Sequence, residues 1–255
     1  MDKKMEYRVI NLAGDIGEIL LENGSEIYRV ENSICEISEY FGFSPQCFAT
    51  LTCIIVTLED SNGEIISIVR RVKQRNTNLD KVYKIYSLVK NLEGKSIEMI
   101  EEELKKIVQE KPYSLLTNLF GNCIGAAFFS ILFLGDSKDF IASAISGLIV
   151  AIFLRILNRA NFGMFFINLI CGFIATISAC FFHSLGFTLG ASITIISTLM
   201  ILAPGVAFIN SMRDIFSGDL VTGMSRLMEV VAIGISIAVG SGIALNLYLR
   251  LGGTV

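Results

Sequence analysis

Apolar side chains recur at helical spacing through the first forty residues. Val9, Leu12, Ala13, Ile16 and Leu20 share one stripe, and Asn11, Asp15, Glu18 and Glu22 lie elsewhere on the wheel. Asn23-Gly24 predicts a stop and Ser25 a new N-cap. Ile27, Val30, Ile34, Ile37 and Phe41 form the stripe of a second helix, which Gly42 and Pro45 end. Residues 47–58, rich in Thr, Ile and Val, then predict a strand. Ser61-Asn62-Gly63 predicts a hairpin turn, and residues 64–72 a return strand with Ile66, Ile68 and Arg70 on alternating positions. Two more amphipathic helices follow. Leu79, Val82, Tyr86, Val89 and Leu92 line one; Ser96 caps the other, striped by Ile97, Ile100, Leu104 and Ile107. Its early acids and its late Lys105 and Lys106 suit the helix dipole. Residues 1–112 thus predict a small α+β domain, helices flanking a β-hairpin.

Beyond residue 112 the amphipathic pattern gives way to long apolar runs. About five spans fit the roughly 20 residues that cross a bilayer: 114–134, 140–158, 163–183, 188–210 and 227–249. The second domain, 113–255, therefore predicts an α-helical integral membrane protein. Small residues repeat every four positions at Gly121 and Gly125, at Ser143, Gly147 and Ala151, and at Gly234, Ala238 and Gly242. In lipid such stripes let helices approach closely.

Charge sharpens this division. Residues 1–112 carry 34 of the 45 charged side chains, and from 140 to 212 only Arg155 and Arg159 are charged. Residues 1–26 contain no apolar h-region and do not read as a signal peptide. With the N-terminus in the cytoplasm, Lys111, Arg155, Arg159, Arg213 and Arg226 lie inside, and only Lys138 and Arg250 outside. That satisfies the positive-inside rule and predicts an external C-terminus. The six cysteines lack C-x-x-C spacing and read as small buried hydrophobes. His183 cannot build a zinc site with them and reads as interfacial. No nucleotide loop, nucleophile motif or metal cluster is visible, so no cofactor or enzymatic activity is expected. A net charge of −3 gives no support for a nucleic-acid partner.

The fourth span breaks at Pro204-Gly205, either a kink or an unwound site of the kind transporters use. Asn210, Arg213, Asp214 and Ser217 then share a helical face, Asp219 follows Gly218, and Arg226 and Glu229 stand three apart. Such groups at the edge of lipid are costly unless paired or wet. Arg213 or Arg226 could hold a carboxylate, and Asp214, Asp219 or Glu229 could titrate. The competing reading is a polar loop with a structural pair of Arg226 and Glu229. In the first domain Gly24, Glu26, Arg29 and Glu31 stand out, against the plainer reading of an i, i+3 ion pair on a solvated face.

Two strings resemble the threonine/serine exporter family. One is Ala13-Gly14-x-x-Gly17-x-x-Leu20-Leu21-x-x-x-Gly24-Ser25-Glu26-x-x-Arg29-Val30-Glu31. The more specific one is Pro204-Gly205-x-x-x-x-Asn210-x-x-Arg213-Asp214-x-x-x-x-Asp219-x-x-x-Gly223-x-x-Arg226. The resemblance implies a multi-pass subunit in the bacterial inner membrane, exporting threonine and serine along an ion gradient. Split members imply a short, all-membrane partner supplying the second transporter half, and an oligomer; some are associated with C4-dicarboxylates such as succinate. A membrane-anchored sensor or an enzymatic first domain is the reading of another class.

Overall fold

The computed structural model describes residues 3–59, 63–110, 113–160 and 162–253. The chain forms two compact units, Met1–Lys111 with Val206–Met228, and Pro112–Gly205 with Glu229–Val255. It opens with α1 (Lys3–Glu22), α2 (Ile27–Tyr40), β1 (Ser44–Ala49), β2 (Cys53–Glu59), β3 (Ile65–Arg71), α3 (Leu79–Lys90) and α4 (Ile97–Gln109). The strands form one antiparallel sheet in the order β1-β2-β3, with Ala49 opposite Ile54 and Cys53 opposite Arg71.

The strand expected over 47–58 is therefore two strands. Residues 50–52 reverse the chain, and the Thr50 amide and hydroxyl both donate to the Cys53 carbonyl. Ser61 and Asn62 of the expected hairpin turn lie outside the described residues, but β2 and β3 on either side pair antiparallel. Ile66, Ile68 and Arg70 face the helices, and Arg70 reaches Asn11 and Asp15 of α1. Ile54, Val56 and Leu58 of β2 join Ile16 of α1 and Ile34 of α2 in a core with no exposed surface. Each such side chain contributes about 1.5–3 kcal/mol. Leu79, expected on the α3 stripe, is exposed, and Ile85 is buried in that helix instead.

The chain continues through α5 (Leu115–Leu132), α6 (Ser137–Arg159), α7 (Met164–Ser184), α8 (Ser192–Leu199), α9 (Gly205–Phe216) and α10 (Leu220–Arg250). Among the described residues four helices are long and apolar enough to cross a membrane: α5, α6, α7 and α10. The span expected over 188–210 is not a continuous helix. The eight residues of α8 reach only about 12 Å, residues 200–203 form a turn, and α9 restarts at Gly205. Pro204 has no amide to offer the Met200 carbonyl, which accepts from Ala203 at 3.3 Å. The hydroxyls of Ser197 and Thr198 bond to the carbonyls of Ile193 and Thr194 within α8 rather than to the break.

Only part of the small-residue pattern makes close contacts. A Cβ at Gly147 would lie 2.6 Å from Ala126 Cβ, so α5 and α6 approach closely there. On α10 the close contact runs through Gly240, against the Leu169 carbonyl of α7, and opposite Gly172. Gly121, Gly125, Gly234 and Gly242 meet nothing within 4 Å. A four-residue repeat marks a face of a helix but does not say which neighbour the face meets.

Candidate functional site

The first unit brings together two segments that are about 180 residues apart in the chain. Local geometry prepares the first. The Ser25 amide returns to Leu20 and the Gly24 amide to Leu21, closing α1 in a Schellman motif. That motif needs the positive φ of 91° that Gly24 supplies. Residues 24–26 are thereby held at the start of α2, where Glu26 occupies the N-cap position expected of Ser25. The Ser25 hydroxyl instead meets the Tyr86 hydroxyl of α3.

The second segment answers each group. Asn210 Nδ2 donates to the Gly24 carbonyl at 2.8 Å, and Arg226 Nη2 to the Ser25 carbonyl at 3.2 Å. Arg213 pairs with Glu26, whose other oxygen holds Arg29 at 3.1 Å. Asp214 Oδ1 accepts the Ile27 amide at 3.2 Å, capping α2 from outside the helix. Asp214 Oδ2 has no hydrogen-bond partner and faces Arg226 Nη1 at 3.6 Å. The pair is buried: the Asp214 side chain has no exposed surface and that of Arg226 is 7% exposed.

A second Schellman motif ends α9. Gly218 donates to Ile215, and Asp219 to Asp214, with Gly218 at a φ of 97°. This turns the chain directly into α10, which starts at Leu220 rather than near 227. Gly223 permits the fold-back, because a Cβ there would lie 2.8 Å from the Ile215 amide nitrogen and 3.0 Å from the Ser211 carbonyl.

The electrostatics follow from burial. Asp214 is raised above the usual aspartate range, first by burial, with Arg226 and the Ile27 amide opposing and Asp219 and Glu26 adding. Glu31 accepts the Ala49 amide at 2.7 Å. It too is raised by burial, which that amide opposes and the nearby Asp219 reinforces. Burial also pushes the Tyr86 phenol up to about 12.

The expected i, i+3 pair of Glu26 and Arg29 therefore exists, but on a buried rather than a solvated Glu26. Of the two candidate carboxylate binders, Arg213 keeps half of its side chain exposed and Arg226 does not. Arg226 meets Asp214, and Glu229 is exposed and falls in the second unit. Pro204 lies at the junction ahead of α9, and Gly205 opens that helix. Ser217 is exposed beyond the end of that helix. Tyr86 and the backbone groups of Ser25 and Ile27 were not foreseen. Tyr86 sat in an apolar stripe, and the only local hint was that a buried tyrosine hydroxyl needs a partner. Among the described residues no group of three His, Cys, Asp or Glu side chains is placed to hold a metal ion.

A family model described as "Putative threonine/serine exporter" matches residues 11–248, which include both interlocking segments. The chain belongs to the threonine/serine exporter family. Similar members include a threonine/serine exporter of Corynebacterium glutamicum, 24% identical over 95% of this chain and 52% of that protein. A protein named as a probable threonine/serine exporter in Mycobacterium tuberculosis is 23% identical over 94% of this chain and 46% of its own length. This family member thus spans about half the length of those two relatives. One named as a probable succinate transporter subunit in Klebsiella aerogenes is 23% identical over 97% of this chain and 96% of that protein. No solved structure matches the chain. Family membership and the four apolar helices make it a multi-pass membrane protein.

Proposed function

We propose that this chain is a subunit of a bacterial inner-membrane exporter of small carboxylate-bearing metabolites, threonine and serine foremost. It works along an ion gradient with a short all-membrane partner. The reading rests on one observation: the interlock of residues 24–31 with 210–226. Arg213 already holds a carboxylate, that of Glu26, and is half exposed. A substrate carboxylate reaching it competes with Glu26, and losing that pair loosens α9 from the start of α2. Occupancy of the site is thereby linked to a shift between two arrangements. A second reading, export of a C4-dicarboxylate, is favoured by the Klebsiella aerogenes relative, whose name specifies succinate.

The test is efflux of labelled threonine, serine and succinate from cells with and without this chain, its candidate partner and a protonophore. Arg213→Ala and Asp219→Asn are expected to lower efflux about tenfold or more, the loss that follows from about 1.4 kcal/mol of binding, with the protein still in the membrane. Unchanged efflux in both variants removes the site from the pathway.

A further inference from the structure

The sheet of the first unit has one face that is left uncovered among the described residues. Side chains alternate across a strand. Ile54, Val56 and Leu58 of β2 enter the core, and Cys53, Ile55, Thr57 and Glu59 point the other way. The strand register arranges this outer face in rows. Phe48, Ile55 and Val69 stand side by side across β1, β2 and β3, and are 61%, 40% and 63% exposed. The next row is Gln46, Thr57 and Ser67, in which the Thr57 and Ser67 hydroxyls bond each other at 2.9 Å. Beyond it Glu59 stands between Ser44 and an exposed Ile65. At the opposite end Arg71 lies beside Cys53.

The charges on this face indicate what covers it. Glu59 and Arg71 are both exposed, and among the described residues neither makes an ion pair. They mark opposite ends of the face, six strand positions or about 20 Å apart. Such a pattern complements itself. A two-fold axis crossing the strands near Val56 lays the Glu59 end of one copy on the Arg71 end of another, and does so twice. One apolar row from each copy then lies on either side of the axis, where the two interdigitate as in aligned sheet packing. The bond between Thr57 and Ser67 lets the polar row be covered with its hydroxyls paired. An anionic lipid surface fits worse, because it would meet Glu59 as well as Arg71. Strand spacing and rise give a footprint of roughly 300 Å² per copy. A stable dimer in solution needs roughly 800 Å² per partner. The face therefore suits copies that one membrane already holds at high local concentration.

We infer that the outer face of this sheet pairs two copies of the chain within the membrane, with Glu59 of each copy against Arg71 of the other. The apolar row of Phe48, Ile55 and Val69 closes the centre of the contact. This pairing does not depend on the substrate or on the exporter reading.

Cross-linking of the full chain in native membrane vesicles tests it. Ser44 shares a row with Glu59, so the two-fold brings it over Cys53 of the second copy. Within one chain the two lie about 20 Å apart, beyond the reach of a short bismaleimide. In Ser44→Cys the reagent is expected to give a dimer whose joined peptides hold positions 44 and 53. Adding Cys53→Ser is expected to remove that product. In the Ser44→Cys background, Glu59→Arg and Arg71→Glu are each expected to slow dimer formation about three- to tenfold, through lost ion pairs and new like-charge contacts. Combining the two swaps is expected to restore the rate, and Val69→Asp to abolish the product. All these side chains are exposed in the single chain, so each copy keeps its fold. A missing 44–53 product, unchanged rates in the single swaps, or no recovery in the combined swap overturns the pairing. So does a product that joins position 44 to a different protein in place of the dimer.

Discussion

Asp214 performs two roles with two oxygens. One caps α2 and the other faces Arg226, and both roles are buried. Removing one partner of a buried pair leaves the other charge poorly compensated, at a cost of about 3–5 kcal/mol. Asp214→Ala is therefore expected to lower the thermal midpoint of the detergent-solubilised chain well below that of Ser217→Ala, whose side chain is exposed. Burial raises both Asp214 and Glu31, so the folded state holds their protons more tightly than the unfolded state does. Their contribution is fully present below the ordinary carboxylate range and is lost as pH rises through the raised values. Thermal midpoints measured from acid to neutral pH are expected to fall less steeply in Asp214→Asn with Glu31→Gln than in the wild type.

At the scale of elements, close approach decides which substitutions matter. Gly223→Ala places a Cβ against the backbone of Ile215 and Ser211, so α9 and α10 must separate. Such overpacking costs about 1–3 kcal/mol and displaces Arg226 from the Ser25 carbonyl. Gly240→Ala meets the Leu169 carbonyl in the same way, whereas Gly234→Ala meets nothing. Membrane abundance is expected to fall for Gly223→Ala and Gly240→Ala and to hold for Gly234→Ala. Periodicity made α1, α2 and α4 readable, because each buries one continuous stripe. The turn at residues 50–52 was hidden because Thr-Leu-Thr carries none of the usual turn residues. The start of α10 was missed because Gly223 and Ser225 resemble a loop. The residues of the candidate site could be named in advance, but their contacts could not, since no local pattern pairs Glu26 with Arg213 or Asp214 with the Ile27 amide.

For the whole molecule the number of crossings decides on which side the C-terminus lies. Among the described residues four continuous helices can span, and α8 is too short to do so alone. Charge placement, with more Lys and Arg on the N-terminal side, favours a fifth, broken crossing and an external C-terminus. Alkaline phosphatase fused after Val255 is then expected to be active and a fluorescent protein there dark. The reverse pattern fixes an even number of crossings.

The first unit is discontinuous, being built from residues before 112 and from 206–228. Ribosomes add about 5–20 residues per second, so roughly 5–20 seconds separate the synthesis of α4 from that of α9. Throughout that interval the α2 start lacks its cap and the Ser25 and Gly24 carbonyls lack their donors. The unit closes only after α5, α6 and α7 have left the ribosome. A chain cut short before α9 thus leaves the start of α2 without its cap and its donors, so completion of the unit reports on the birth of the molecule as well as its operation.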